Sequence, residues 1–349
     1  MRILILVSSL NFGGAEKQAT LDANMLATDH RVYLGMFATG DLQEQLSEQV
    51  QTVMFSKQNY FSAARQIANF VKENKVQIIH NHLYAPMIIA ALASLRVIVP
   101  VVWHFHGHHF EVRKFPLNVL SQLPSVKRTV FVCSALADYF AREFRFPHRK
   151  RSVVYNSSQC RKLPQLKPND GILRIGFVGR VVGLKRLPYL VNLAAFLKNQ
   201  GFKRFEIWIV GDGPERVGLE QLARERGVKD EVKFLGFRSD IEELYNQFDL
   251  FVLPSEEEAL SLALIDAGNC GLPALAFDVG GNQEIVLDGK TGFIVHSEND
   301  FQQKAYQLCQ DESLRKKMGE AAEQHTQIFS EENHLRSLLA IYTEYTEDN

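Results

Sequence analysis

Cysteine is scarce in this chain: four in 349 residues, Cys133, Cys160, Cys270 and Cys309, with no C-x-x-C spacing. That argues against a disulfide scaffold or a zinc ribbon and makes a reducing compartment the default. No apolar run approaches the roughly 20 residues that a membrane-crossing helix needs. The opening Met1-Arg-Ile-Leu-Ile-Leu-Val-Ser-Ser9 is charged and then apolar, as a signal peptide is. Its apolar core of about six residues falls short of the roughly 7 to 15 a signal requires, so it reads as a first buried strand. The dinucleotide fingerprint G-x-G-x-x-G is also absent, which counts against a dehydrogenase. Net charge is small too, at −1, but it hides a split. Residues 1–168 hold 20 Lys and Arg against 10 Asp and Glu, whereas residues 169–349 hold 19 against 30, so the halves face different partners or each other.

What is present is apolar content of 46%, enough for two domains of ordinary size. Residues 2–8 form a near-continuous apolar strand, followed by a loop containing Gly13-Gly14 and an amphipathic stretch to about Ala27. A glycine pair where a strand hands over to a helix lets backbone approach a ligand closely. Strand-like runs recur at 31–38, 52–56, 76–80, 99–106 and 128–133, with helical stretches such as 61–75 and 86–97 between them. Such alternation predicts an α/β architecture, a doubly wound parallel sheet with ligands at the carboxyl ends of its strands. Those ends carry Asn81, His82, His104, His106, His108, His109 and Ser134. The pairs His80-x-His82 and His104-x-His106 admit three readings: metal ligation completed by an acid such as Glu111, contact with a sugar or phosphate, or polar packing.

The run Arg161 to Gly171, polar and broken by Pro164 and Pro168, is the best linker. It separates a domain over 1–160 from a second over 172–330, with a last helical segment over 331–349. The second begins with the strand Leu173–Val178, and Gly179-Arg180 leads through a turn to Lys185. Two cations five residues apart at a strand mouth suit a diphosphate. Further on, an apolar strand ends near Leu253 and leads through Pro254-Ser255 and Glu256-Glu257-Glu258 into an Ala/Leu-rich helix carrying Asp266 and stopped by Gly271 and Pro273. Helix N–H groups near Ser261 and Leu262 favour an anion, while the flanking carboxylates need hydroxyls to bind. A ligand with both phosphate and sugar rings satisfies the two demands, so the stretch reads as a nucleotide-sugar pocket.

The acidic stretch resembles the E-x7-E signature of retaining glycosyltransferases of family four, with Glu258 as the first acid and Asp266 standing where the second is normally Glu. Gly179, Arg180 and Lys185 match the family's G-R-x-x-x-x-K, His106-Gly107 its His-Gly, Gly13-Gly14-Ala15-Glu16 its glycine loop, and Val153-Val-Tyr-Asn156 resembles its V-x-x-N, with the usual Gly-Val-Asp replaced by Ser157-Ser-Gln. The resemblance implies a GT-B fold, two Rossmann-like domains facing across a cleft, with the last helix crossing back to the first. It also implies donor binding by Gly13, Gly14, Gly179, Arg180, Lys185, Phe237, Arg238, Glu258, Ser261, Leu262 and Asp266, and chemistry carried by Glu258, His106, Arg180 and Lys185.

The expected activity is metal-independent retaining transfer of a sugar from a UDP- or GDP-linked donor to a hydroxyl of a glycan or lipid-linked acceptor, in cell-surface polysaccharide synthesis. No cofactor and no metal site are assigned, since no D-x-D triplet occurs to bridge a diphosphate through a divalent ion. No nucleic-acid partner is expected. Alternatives are a non-hydrolysing nucleotide-sugar epimerase and a GT-B protein that binds without turnover. A cytoplasmic location is expected, and the basic, Phe-interleaved stretch Phe140–Arg151 suits either an anionic membrane surface or a solvated helix end.

Overall fold

A computed structural model describes residues 1–107, 114–163, 168 and 170–346. His108, His109, Glu111 and residues 164–167 and 169 of the expected linker lie outside the described residues. The chain divides into two compact units, one of Met1–Asn156 together with the segment beginning at Glu331, the other Ser157–Ser330.

In the first unit seven strands form one parallel sheet: β1 (Arg2–Leu6), β2 (Arg31–Met36), β3 (Gln51–Met54), β4 (Ile78–His82), β5 (Val101–Phe105), β6 (Val126–Phe131) and β7 (Arg151–Val153), in the order β3-β2-β1-β4-β5-β6-β7. The second has six, β8 (Leu173–Val178), β9 (Phe205–Val210), β10 (Val232–Gly236), β11 (Leu250–Leu253), β12 (Ala274–Phe277) and β13 (Gly292–Val295), in the order β10-β9-β8-β11-β12-β13. Each order reverses direction beside its first strand, between β1 and β4 and between β8 and β11. Such reversals open a crevice at the carboxyl ends of the strands, where ligands bind. The strands read as unbroken apolar runs because helices cover both faces of a parallel sheet.

Burial decides two departures from the sequence reading. The fourth strand runs two residues further than its apolar run, to His82, so Asn81, His82 and His104 are strand residues with no exposed surface rather than groups on a crevice floor. In the basic stretch, the Ser134–Glu143 helix ends and Phe140, Phe144 and Phe146 turn inward, stacking on one another and on Phe105. Lys150 folds in with them, its Nζ donating to the carbonyls of Ser121 and Leu123. The aromatic half of the proposed membrane surface is therefore core. No helix among the described residues is long and apolar enough to cross a membrane.

The last helix, Glu331–Thr346, belongs to the first unit, where Leu338, Ile341 and Tyr342 join the core built by β1, β2 and the Gly14–Ala27 helix. Arg128 on β6 pairs with Glu344 near its end.

Candidate active site

Four loops of the second unit meet at its β8/β11 reversal. After β8 the chain turns through Gly179 to Lys185, and Val181 N–H donates to Asp212 O, 2.9 Å away in the loop after β9. Both glycines of that loop are required by the closeness: a Cβ on Gly211 would stand 1.9 Å from Gly179 O, and one on Gly213 2.2 Å from Val181 O. After β11, Glu256 N–H donates to Leu184 O at 2.8 Å, and Gly281 N–H after β12 donates to Ala259 O at 2.6 Å. Main-chain bonds thus fix the acidic stretch between its neighbours.

Of the cations and acids expected from the sequence, Lys185 and Glu258 come together here. Lys185 Nζ lies 2.5 Å from Glu258 Oε1, with both side chains largely buried, at 20% and 12% exposed. Arg186 pairs with Glu256 at 2.7 Å. Arg180 is exposed and has no ion pair among the described residues. Burial raises the Glu257 carboxyl above its usual range, helped by its neighbours Glu258 and Glu256. Ser261 caps the Leu262–Asn269 helix, its Oγ accepting from Leu264 N–H at 3.4 Å. The first-turn N–H groups around Ser261 and Leu262 thus sit in the same loop cluster as Lys185.

Asp266 sits on the buried side of that helix and accepts from Ser158 Oγ. A shorter acid therefore coincides with Ser158, one of the residues replacing the family's usual Gly-Val-Asp. Cys160, whose N–H donates to the same Ser158 oxygen, places its sulfur 3.3 Å from that of Cys270, a proximity that sequence spacing concealed. Both are free thiols. Arg238, expected near the base, is held by Asp240 two residues on, its Nε 2.7 Å from Oδ1, while Phe237 is 66% exposed beside it.

Gly280 makes an equally tight approach, against the acidic stretch itself: its φ is +53° and a Cβ there would stand 1.9 Å from Glu258 O. Gly280→Ala should cost about 2 kcal/mol or more, combining left-handed strain with overpacking. It should also displace Glu258. Urea unfolding checks the first effect and donor affinity the second.

The first unit holds Gly13 and Gly14 at the start of the Gly14–Ala27 helix after β1, with no Cβ contact awaiting at Gly14. It also carries a polar cluster deep under the ends of β4 and β5. His82 on β4 is in register with His104 on β5. His80 Nε2 and His104 Nδ1 are 3.2 Å apart, and His82 Nδ1 and His106 Nε2 2.7 Å. His80 Nδ1 also bonds Tyr342 Oη at 2.6 Å.

Burial lowers His80 to about 4 against a raising influence from Asp22, and burial, then neighbouring histidines, hold His82 and His104 well below the ordinary imidazole value. His80, His82 and His104 are the one group with metal-ligand spacing among the described residues, their ligand atoms all within 4.8 Å of one another. Both His80 nitrogens already take part in hydrogen bonds, so hydrogen bonding accounts for the trio better than a closed three-histidine site does.

Sequence reasoning missed Asp22, Gln18 and His334. Asp22 is fully buried, and its Oδ1 accepts from Gln18 Nε2 at 2.7 Å and from His334 Nε2 at 2.8 Å. His334 Nδ1 lies 2.6 Å from Tyr155 O. Facing a carbonyl on one side and a carboxylate on the other, with the Gln18 amide 3.3 Å from Nε2, the ring is placed where those two acceptors favour its protonated form. Burial acts to lower it, but Asp22 outweighs burial and the net shift is upward; the Asp22 carboxyl, which burial would raise, is pulled down by His334. The i, i+4 pair Gln18 and Asp22 on a buried helix face was the one available signal.

Comparison with known proteins then decides the family. The description Glycosyltransferase Family 4 matches residues 12–157, and Glycosyl transferases group 1 matches residues 161–325. The chain belongs to glycosyltransferase family 4. This family 4 enzyme is 27% identical over 311 residues to N-acetyl-alpha-D-glucosaminyl L-malate synthase of Bacillus anthracis, covering 82% of this chain and 79% of that protein. It is 29% identical over 306 residues to the putative glycosyltransferase EpsF of Bacillus subtilis, covering 79% of each. In fold it resembles a glycosyltransferase from Rickettsia africae, with a TM-score of 0.88 at 21% identity over 100% of this chain and 99% of that one. It also resembles the Anabaena protein HepE in complex with UDP, with a TM-score of 0.87 at 21% identity over 99% and 100%. The GT-B fold of the glycosyltransferase is thereby established.

Proposed function

We propose that this glycosyltransferase moves a sugar, with retention at the anomeric carbon, from a UDP- or GDP-linked donor to a hydroxyl of a glycan or lipid-linked acceptor in cell-surface polysaccharide synthesis. The observation that carries this reading is the Lys185–Glu258 pair at the β8/β11 reversal, with Arg180 exposed on the same turn. A cation and an acid held together need a ligand that offers an anion to one and hydroxyls to the other. A nucleoside diphosphate sugar does so. The similarity in fold to HepE in complex with UDP-glucose favours UDP.

In this reading the second unit binds the donor. Arg180, Lys185 and the N–H groups near Ser261 and Leu262 neutralise the departing diphosphate, the charge that grows most in the transition state. Glu258 holds sugar hydroxyls, Asp266, tied to Ser158, is the acid assigned to the ribose, and Phe237 and Arg238 serve the base. Gly13 and Gly14 allow close backbone approach to a ligand, and His106 is the first unit's candidate for a sugar contact. With no carboxylate assigned as nucleophile, the acceptor hydroxyl attacks from the leaving-group face and gives its proton to the donor phosphate, without a metal.

A thermal-shift screen over UDP-, GDP-, ADP- and CMP-sugars tests the donor, since a ligand bound only to the folded state raises the melting temperature. A UDP-sugar should give the largest shift. Asp266→Glu, restoring the family's usual acid, should alter donor affinity several-fold in a nucleoside diphosphate release assay. No shift with any nucleotide sugar would sink the transferase reading, and conversion of the donor to another nucleotide sugar would replace it with epimerisation.

A further inference from the structure

The polar segment that opens the second unit is strapped to the neighbouring Ile241–Tyr245 helix and the residue that follows it. Arg161 N–H donates to Glu242 Oε1 at 2.8 Å and Leu163 N–H to Asn246 Oδ1 at 2.7 Å, while Asn246 Nδ2 donates to Arg161 O at 2.9 Å. These bonds are exposed or half-buried, so water competes for them and each holds the strap only weakly. At the head of the strap Cys160 lies 3.3 Å, sulfur to sulfur, from Cys270, the residue that ends the Leu262–Asn269 helix. Cys270 Sγ is itself pinned, donating to Arg161 O at 3.4 Å and accepting from Asn246 Nδ2 at 3.6 Å.

Two free thiols held this close need only an oxidant to become a bond. Closing to a disulfide of about 2.05 Å draws the sulfurs together by about 1.2 Å. A small oxidant can reach them. Cys160 is half-buried, and Cys270 lines a cavity of about 240 Å³ together with Lys162, Leu163, Asn246 and Arg315. That is room for a peroxide-sized molecule several times over.

We propose that Cys160 and Cys270 are a redox-modifiable pair, which a hydroperoxide converts to a disulfide tying the opening strap of the second unit to the end of the Leu262–Asn269 helix. With hydrogen peroxide, the Cys160 sulfur attacks the O–O bond and becomes a sulfenic acid, releasing water. The Cys270 sulfur then displaces the hydroxyl of that sulfenic acid as a second water. Over both steps two thiols lose two protons and two electrons, and one peroxide becomes two waters. The bond to Cys270, and then burial, push the Cys160 thiol up, so little thiolate exists near neutrality and the pair stays reduced until oxidant persists. The residues joined are 110 apart, and the loop freedom that a cross-link removes from the unfolded chain grows with that span. The modification does not depend on which sugar, if any, the protein transfers.

The test uses the full chain, freshly reduced and treated with a chelator, then exposed to hydrogen peroxide, alkylated in urea and mapped by mass spectrometry. The oxidised protein should lose two of its four alkylatable thiols, with Cys160 and Cys270 joined in one peptide pair. The melting temperature of the transition that carries the second unit should rise by about 5 to 15 °C, and dithiothreitol should reverse the rise. Oxidation should run several-fold faster at about pH 9 than at about pH 7, following the thiolate. Cys160→Ser, at the more exposed position, should fold as wild type and show neither cross-link nor rise.

Four thiols still open to alkylation after the peroxide overturn the proposal, and that result needs no variant to fold. So does a cross-link through Cys133 or Cys309, or oxidation that stops at a sulfinic acid on Cys160. A Cys160–Cys270 bond that moves the melting temperature by less than about 1 °C overturns it as well, since the strap then gains nothing from being tied. Stoichiometric zinc in the purified protein, lost in Cys160→Ser, would also overturn it, because thiolates on a metal are not a free pair.

Discussion

Lys185→Ala should keep the fold and lower kcat/KM about 10² to 10³-fold, the range found when one preorganised donor to a developing oxyanion is removed. Two effects act in the same direction. On the proposed reading the leaving diphosphate loses a largely buried cation, and Glu258, now without its partner 2.5 Å away, presents an uncompensated negative charge to the same phosphates. Arg180→Ala should cost less, on the order of 10-fold, because an exposed guanidinium is screened by solvent. Glu258→Ala alone should also be severe. The double variant Lys185→Ala, Glu258→Ala should fall well short of the product of the two single losses, because each single change strands its partner. Steady-state kinetics of the four proteins in one buffer read this directly. A Lys185→Ala enzyme within 5-fold of wild type would remove the lysine from the chemistry.

The second large effect is on stability against pH. His80, His82 and His104 are buried as neutral rings with folded values below the ordinary imidazole value, His80 at about 4. On unfolding each recovers its usual affinity for a proton, so below about pH 6.5 the unfolded chain binds more protons than the folded one. Stability therefore falls as pH falls from 6.5 toward 4, by up to about 4 kcal/mol per pH unit when all three rings contribute.

His334 has the opposite sign. Its folded value is raised by Asp22, so its contribution is complete below 6.5 and is lost as pH rises through the raised value. Asp22, with a lowered value, contributes above about 3.8 and loses that only in stronger acid. One histidine on the alkaline side against three buried rings on the acid side, joined there by the partly buried His30, predicts a first unit most stable near neutrality and sharply acid-labile. Urea midpoints at pH 7, 6 and 5 measure it. Replacing His104 by Phe should flatten the acid slope by about a third if the packing survives, and an unchanged wild-type midpoint across that range would refute the prediction.

The parts of the site that were legible in the sequence are those written within a few residues of one strand end. Arg180 and Lys185 lie across one turn, and Glu258 and Ser261 lie between one strand and one helix, so hydrophobic period and turn residues placed them without a tertiary contact. Their mutual approach was not legible, because Lys185 and Glu258 are 73 residues apart and meet through the β8/β11 crossover. Alternation of strands and helices likewise gave both parallel sheets. It could not give the length of β4, where Asn81 and His82 continue a buried strand that composition would have ended. Nor could it show that His80 meets Tyr342, or that Asp22 meets His334 from 312 residues away. The aromatic residues at 140, 144 and 146 misled for a related reason: basic neighbours suggested a surface, while the backbone turned the rings into the core.

The completion of the first unit by its final helix has a consequence for biosynthesis. Leu338, Ile341 and Tyr342 close a core whose other walls are translated first, and the Asp22 carboxylate waits for a histidine 312 residues further along the chain. The half of the protein that leaves the ribosome earliest thus finishes folding latest, after the intervening unit has had time to form. A nascent chain arrested at Ser330 should display a protease-resistant second unit behind an unfinished first one.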